Sequence, residues 1–378
     1  MSTEIALYIH FPFCRQKCNY CSFVSYQGRG ADIPVYVNVV KKEIALCANG
    51  QRLCSVYFGG GTPSLLSAEH VGDILSLIYS SFEMSQDAEI TIEANPGTVD
   101  EAHLYALRMS GINRLSIGVQ SLHDRELALL GRIHTAADAK KSVRDARNAG
   151  FVNLNLDVIY GLPGGYLGSW QDTLEGIVEL DSEHLSLYPL TLEDGVPMCS
   201  AIERGELSAI DPDRTASEYE MAEEFLEAKG YCHYEISNWA KQGCECQHNI
   251  VYWKNRHYLG VGLGAHSYLD GQRFANTSNL DKYLDAFLHG VYPSRSLDEV
   301  IGPELQLSEA VILGLRLCEG VCLDSIRTQF NTDLLERYEQ QIEYLSGQGL
   351  LECTQQYLRL TRRGRLLGNE VFWRFLPD

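Results

Sequence analysis

Cys14, Cys18 and Cys21 stand in a C-x3-C-x2-C loop directly behind Tyr8-Ile-His10-Phe-Pro-Phe13. Three thiolates at this spacing can hold metal, but a structural zinc site normally closes its tetrahedron with four protein ligands. On a 4Fe-4S cluster the same three cysteines leave one iron free, and an open iron calls for a small-molecule ligand. A second feature lies downstream, where Gly59-Gly60-Gly61-Thr62-Pro63 ends an apolar run. Consecutive glycines allow positive φ and let a ligand approach the backbone, whose carbonyls can accept from an ammonium group. The same run also suits a tight turn packed for its own sake.

Such groups need a frame to bring them together. From residue 5 to about 240, short β-branched or apolar runs alternate with longer helical stretches, the pattern of repeated β/α units and a parallel sheet. The expected strands are Ile5–Ile9, Ser55–Phe58, Ile90–Glu93, Leu115–Val119, Leu154–Ile159 and Leu185–Leu190, with helices Val35–Cys47, Ala68–Phe82, Glu101–Ser110, Ala136–Ala149 and Ser169–Glu179 between them. Six units are too few for the eight-stranded barrel, so the pattern predicts an α/β chain folded as an open, partial (β/α)6 barrel, with its site at the C-terminal strand ends. A helix over Thr215–Ala228, a strand over Tyr231–Ile236 and an aromatic, histidine-rich stretch to Tyr268 continue the barrel edge. Beyond a linker at Pro293–Pro303, helices Leu307–Cys318, Leu323–Phe330 and Leu334–Gln348 and a hairpin Leu350–Leu360 predict a winged-helix-like α+β domain. The expected division is a barrel over residues 1–240, an edge segment over 241–292 and a C-terminal domain over 293–378.

Composition narrows the function. Twelve cysteines scattered along 378 residues, with no signal-peptide pattern, suit a reducing cytoplasm better than a disulfide framework. No apolar run reaches membrane-spanning length, so no transmembrane segment is expected. The formal net charge of −19 opposes phosphate backbones, so nucleic acid is a poor partner. The short basic run Arg359-Leu-Thr-Arg362-Arg363-Gly-Arg365 reads as a solvated hairpin.

The cysteine loop resembles the signature of the radical SAM superfamily, in which S-adenosylmethionine (SAM) chelates the open iron. Further motifs occur in order: Gly59-Gly-Gly-Thr-Pro-Ser64, Glu93-Ala-Asn-Pro96, Ser116-Ile-Gly-Val-Gln120-Ser, Gly131-Arg132-x-His134 and Asp157-x-Ile-Tyr-Gly161-Leu-Pro163. Together they are similar to the oxygen-independent coproporphyrinogen III oxidase (HemN-like) family, which includes a haem-chaperone branch. The resemblance implies a 4Fe-4S cluster on Cys14, Cys18 and Cys21, with Tyr8 beside it. It implies SAM held by Gly60, Gly61 and Thr62 near the methionine amino group, by Glu93 at the ribose hydroxyls and by Arg132 at the carboxylate, with Gln120 and Asp157 lining the same cavity. Each role is chemically apt, since a carboxylate accepts from vicinal hydroxyls and guanidinium forks onto a carboxylate. Each residue also has a bland alternative as a helix cap or a salt bridge.

Two departures set this chain apart from the oxidases of that family: Phe23 stands where they carry a fourth cysteine, and only 13 residues precede the first cysteine. The haem-chaperone branch carries H-N-x-x-Y-W, matched here by His248-Asn249-Ile-Val-Tyr252-Trp253 behind Cys246. A neutral imidazole or a thiolate can ligate haem iron, and aromatic rings pack on a macrocycle. His248 is therefore the foremost candidate ligand, ahead of Cys246, with His257 and His266 weaker, while His184 and His233 read as core residues. The resemblance implies a protein that binds haem and transfers it to acceptor haemoproteins, with an electron donor such as flavodoxin or ferredoxin. The alternatives are oxidative decarboxylation of coproporphyrinogen III and, disfavoured by charge, RNA modification.

Overall fold

In the computed structural model, which describes residues 4–288 and 295–377, every expected β/α unit forms. Strand β1 (Glu4–Phe11) leads into the cysteine loop, which is braced by a two-residue parallel ladder of β2 (Phe13–Cys14) with β3 (Tyr26–Gln27). Then follow α1 (Ile33–Cys47), β4 (Arg52–Gly60), α2 (Ala68–Ser81), β5 (Glu83–Ala94), α3 (Glu101–Met109) and β6 (Arg114–Gln120). Next come α4 (Asp124–Leu130), α5 (Ala136–Asn148), β7 (Leu154–Tyr160), α6 (Leu167–Glu179) and β8 (His184–Pro189). Helix starts match their caps: Ser67, Asp100 and Thr135 each accept from a backbone N–H three residues on. Strands β1, β4, β5, β6, β7 and β8 lie side by side in that order, all parallel.

Period-two alternation along these strands decides what faces each side. Val56, Phe58, Ile90, Ile92, Leu115, Ile117, Leu156 and Leu187 join the helices in one large apolar core. Full burial of such side chains contributes about 1.5–3 kcal/mol each. The intervening residues make an inner lining that is polar: Ser55 faces Glu89, Thr91 faces Arg114, Glu93 faces Ser116, and Asn155 faces His184.

The sheet does not stop at six strands. After α7 (Pro197–Glu203) and α8 (Pro212–Ala228), β9 (Cys232–Glu235) and β10 (Asn238–Ala240) extend the β8 side antiparallel. After α9 (Gln247–Trp253), β11 (Tyr258–Val261) pairs parallel with β1, a seventh parallel strand lying within the aromatic, histidine-rich stretch. Beyond it β12 (His266–Leu269), β13 (Gln272–Asn276), α10 (Leu280–Leu288) and β14 (Arg295–Val300) follow, with the three strands pairing antiparallel. Of the expected linker, Pro293 lies outside the described residues, and 295–300 is not a linker but edge strand β14. Its sequence, Arg-Ser-Leu-Asp-Glu-Val, is charged and reads as loop until β13 supplies a pairing partner.

The C-terminal region has its own apolar core, from Leu307 to Phe375. It comprises α11 (Pro303–Gly314), β15 (Val321–Cys322), α12 (Leu323–Phe330), α13 (Leu334–Arg337), α14 (Glu339–Gly347), β16 (Leu351–Cys353), β17 (Tyr357–Leu360), α15 (Arg362–Leu366) and α16 (Gly368–Phe372). The expected single helix over 334–348 is broken at Tyr338, and β15 adds a third strand to the predicted hairpin. The basic run is a solvated hairpin only in part: Arg359 lies partly exposed on the β16–β17 hairpin, paired with Glu352. Arg362 Nε and Arg365 Nε donate to Glu223 of α8 at 2.9 and 2.8 Å, and Arg362 also reaches Glu224 at 2.9 Å. Backbone contacts join the two regions as well, with Ile236 N donating to Arg316 O and Cys318 N to Tyr234 O at 3.1 and 2.9 Å. Among the described residues no helix is long and apolar enough to cross a membrane.

Candidate cofactor site

The cysteine loop sits over the C-terminal ends of the parallel strands. It is fastened by Asn19 N to Leu130 O and Met198 N to Asn19 O, both 3.0 Å, and by His10 Nε2 to Val24 O at 2.8 Å. Beneath it opens a cavity of about 430 Å³. Its walls include Cys14, Cys18, Cys21, Gly60, Gly61, Thr62, Glu93, Gln120, Arg132 and Asp157, residues separated by as many as 143 positions in sequence. Among the described residues no three His, Cys, Asp or Glu side chains are gathered as for a single metal ion. The three thiols border one space.

Glycines here are required by contact. A Cβ on Gly61 would fall 2.9 Å from Cys14 Sγ, and one on Gly60, whose φ is +118°, within 2.7 Å of His10 Nδ1. Thr62 Oγ1 lies 3.7 Å from Cys14 Sγ and accepts from Asn95 Nδ2 at 2.8 Å. Arg132 Nη1 points at Cys18 Sγ at 3.4 Å, while its Nη2 donates to Gly118 O at 2.9 Å and to Asn95 Oδ1. Arg132 Nε is buried and has no hydrogen-bond partner among the described residues. Gln120 holds a φ of +66° at the end of β6, uncommon for a residue with a side chain.

Glu93 accepts from Tyr57 Oη and Gly60 N, both at 3.0 Å. Burial, aided by the neighbouring Asp157 carboxylate, lifts its carboxyl to about 7 despite those two donors. Asp157 is raised too, chiefly by burial, although Ser116 and Asn155 donate to it at 2.7 and 2.8 Å. Two adjacent buried carboxyls of this kind are what a ligand rich in hydroxyl donors would relieve.

Tyr8 is not at the cavity wall. Its hydroxyl pairs with His10 Nδ1 at 3.0 Å, and its ring lies near those of Tyr57 and His248. The histidine motif lies deeper still. The Glu89 carboxylate, itself held near the buried Arg114 at 3.8 Å, accepts from Cys246 Sγ, Gln247 N and His248 N and so caps α9. His248 is buried against Tyr57, with ring centroids 4.9 Å apart. Its Nδ1 pairs with Ser55 Oγ and its Nε2 with Tyr252 Oη, both at 2.9 Å. Burial, then the Arg114 charge, pushes its pKa down to about 3, so the ring is neutral. Burial pushes the Cys246 thiol up to about 12. In this conformation neither residue presents a free donor atom to a macrocycle. Trp253 packs under the Arg316 guanidinium, 4.4 Å from its ring centroid. His184 and His233 are core residues as expected: the first bonds Asn155 and Tyr234, and the second stacks on Trp239.

Residues 8–177 match the family model of the radical SAM superfamily, and residues 302–367 match the HemN C-terminal domain. Over nearly its whole length the chain is 36% identical to the heme chaperone HemW of Bacillus subtilis, covering 98% of this chain and 99% of the relative. The chain belongs to the HemW family of radical SAM proteins. A second HemW heme chaperone, from Lactococcus lactis, is likewise 36% identical, with 98% and 97% covered. In fold, the family's likeness extends to coproporphyrinogen III oxidase (HemN) from Escherichia coli, a radical SAM enzyme. The two structures superpose with a TM-score of 0.85 at 24% identity, over 99% of this chain and 90% of that one. The partial barrel with its C-terminal domain is therefore the HemN-like radical SAM fold, and membership implies a 4Fe-4S cluster and SAM as cofactors.

Membership also brings out what the sequence leaves unsaid. Tyr57, Asn95 and Tyr20 share the cavity with the motif residues. Tyr57 carries a readable signal, since Ser55, Tyr57 and Gly59 alternate with apolar residues on β4. Tyr20 carries none.

Proposed function

We propose that this protein is a cytoplasmic haem chaperone that binds haem and passes it to acceptor haemoproteins, using flavodoxin or ferredoxin as its electron donor. In this reading Cys14, Cys18 and Cys21 hold the cluster. SAM lies in the 430 Å³ cavity, with its ribose on Glu93 and its carboxylate on Arg132. When bound, the two together supply one-electron chemistry. The protein's part is to orient them and keep water out. The observation that carries the reading is near-full-length identity to heme chaperones. The cavity's charge agrees with it. Lys17 and Arg132 are its only cations among the described residues, against Glu93, Asp157 and Glu193. With Arg132 engaged by SAM, little remains to hold the propionates of a porphyrinogen.

Reconstituted protein incubated with coproporphyrinogen III, reductant and SAM is expected to form no protoporphyrinogen at a sustained rate. The same preparation titrated with haem should develop a saturable Soret band. Sustained turnover of the porphyrinogen would replace this reading with the oxidase one.

A pH dependence follows from Glu93. Its carboxyl is raised to about 7 and must be ionised to accept two ribose hydroxyls, so the competent form is gained as pH rises. SAM affinity, measured by equilibrium dialysis, should rise about tenfold from pH 6 to pH 8. In Glu93→Gln it should be weaker and flat across that range. A flat wild-type profile would remove Glu93 from the ribose.

A further inference from the structure

A second cavity, larger than the one beneath the cysteine loop, lies at the other end of the barrel. It measures about 700 Å³ and is bounded by Glu4 at the start of β1, by the chain leaving α9, and by α11, β15 and α12 of the C-terminal region. A volume of this size falls in the range of small-molecule and cofactor sites. Trp253, the last residue of the H-N-x-x-Y-W helix, opens onto it, as do Lys254, Arg256 and His257 from the same stretch and Cys322 from the opposite side. Trp253 Nε1 and the Nε of the Arg316 stacked on it are both buried without a hydrogen-bond partner. Among the described residues His257 Nε2 accepts one long hydrogen bond, from Asp270 N at 3.3 Å.

This set of groups has the chemistry of a haem pocket. An imidazole and a thiol face one space and can ligate iron, and an indole forms one wall for a macrocycle. An ammonium and a guanidinium flank it and can pair with propionates. Two acids, Glu4 and Glu319, also line the cavity, and Glu4 lies 3.3 Å from Arg52. His248, by contrast, has both nitrogens spent on Ser55 and Tyr252.

Resting on the chaperone function proposed above, we propose that haem is received in this lower cavity, with His257 and Cys322 as its iron ligands and Lys254 and Arg256 at its propionates. The H-N-x-x-Y-W element then serves the pocket through Trp253, while His248 positions α9 from inside the barrel.

Full-length protein titrated with ferric haem tests this, with Soret position and affinity as readouts. Wild-type protein should give a saturable Soret band. His257→Ala and Cys322→Ala should each shift it, and the double variant should bind at least about tenfold more weakly. Ser325→Trp, which narrows the cavity and removes the Ser325 hydrogen bond to the Cys322 thiol, should also weaken binding. His248→Gln keeps a donor and an acceptor for Ser55 and Tyr252, and should retain the band. Wild-type affinity and spectrum in the double variant or in Ser325→Trp, or a band lost in His248→Gln with circular dichroism and iron-sulfur content intact, would overturn the location alone. No haem binding by wild-type protein would overturn the chaperone reading with it.

Discussion

Replacing Cys18 by alanine should strip the anaerobically reconstituted protein of its iron-sulfur absorbance, leaving less than about a tenth of the iron and acid-labile sulfide. The reason is in the loop. Among the described residues Cys18 is one of three thiols bordering the upper cavity, so in the proposed reading its loss leaves two ligands for a cluster that already lacks a fourth. The loop itself should survive, because it is pinned by the backbone bonds of Asn19 and by His10 rather than by the thiol. Thermal unfolding of the metal-free variant should therefore stay within about 1 kcal/mol of the metal-free parent. SAM binding should fall with the cluster, since its chelating iron is gone. Undiminished iron and sulfide in Cys18→Ala would reject the cluster assignment, and with it the SAM site.

Glu223→Ala should loosen the C-terminal region from the barrel. Glu223 is buried, and its carboxylate receives Arg362, Arg365 and, at 3.3 Å, His233. Without the carboxylate, Arg365 is left largely buried with its partner gone, while Arg362, nearly half exposed, keeps Glu224. Leaving a buried donor unsatisfied costs about 1–3 kcal/mol. Limited proteolysis should cut after β14 far faster in the variant than in the parent, and thermal unfolding should separate into two steps. An unchanged cleavage rate would show that the apolar and backbone contacts suffice. Burial alone would raise the Glu223 carboxyl, but the His233 hydrogen bond and Arg365 outweigh it and hold it below its ordinary value of 4.5. A depressed acid stabilises the folded state fully above the unfolded value and loses that contribution as pH falls through the folded one. The clamp should therefore weaken only below about pH 4.5.

The parallel core was legible because its strands are short β-branched or apolar runs of four to six residues that alternate with longer helical stretches. The cofactor cavity was legible because its chemistry sits in dense motifs at strand ends, where β/α folds place their sites. The added strands were not. β11 to β14 are short, rich in glycine, aromatic or charged residues, and acquire their conformation by pairing in register with a neighbour that is itself marginal. Neither was the depth of His248. Spacing shows that an imidazole, a tyrosine and a tryptophan share one helix, but the partners that occupy the imidazole, Ser55 and Tyr57, arrive from a strand nearly 200 residues earlier. Tyr8 shows the same limit, since its nearness to the cysteines in sequence says nothing of the face its ring takes.

The sheet is not a closed ring, and its two margins are treated differently. At one margin β14 is paired on a single side, by β13. The other margin, β9, is not left in that state. It is instead occupied by the 316–318 segment, whose main chain bonds Tyr234 and Ile236 and bridges Glu235 to Leu317. The C-terminal region thus doubles as a built-in chaperone for the barrel's own margin. A fragment ending at β14 would expose a self-complementary strand, so shortening the chain there trades a smaller protein for one prone to stick to itself.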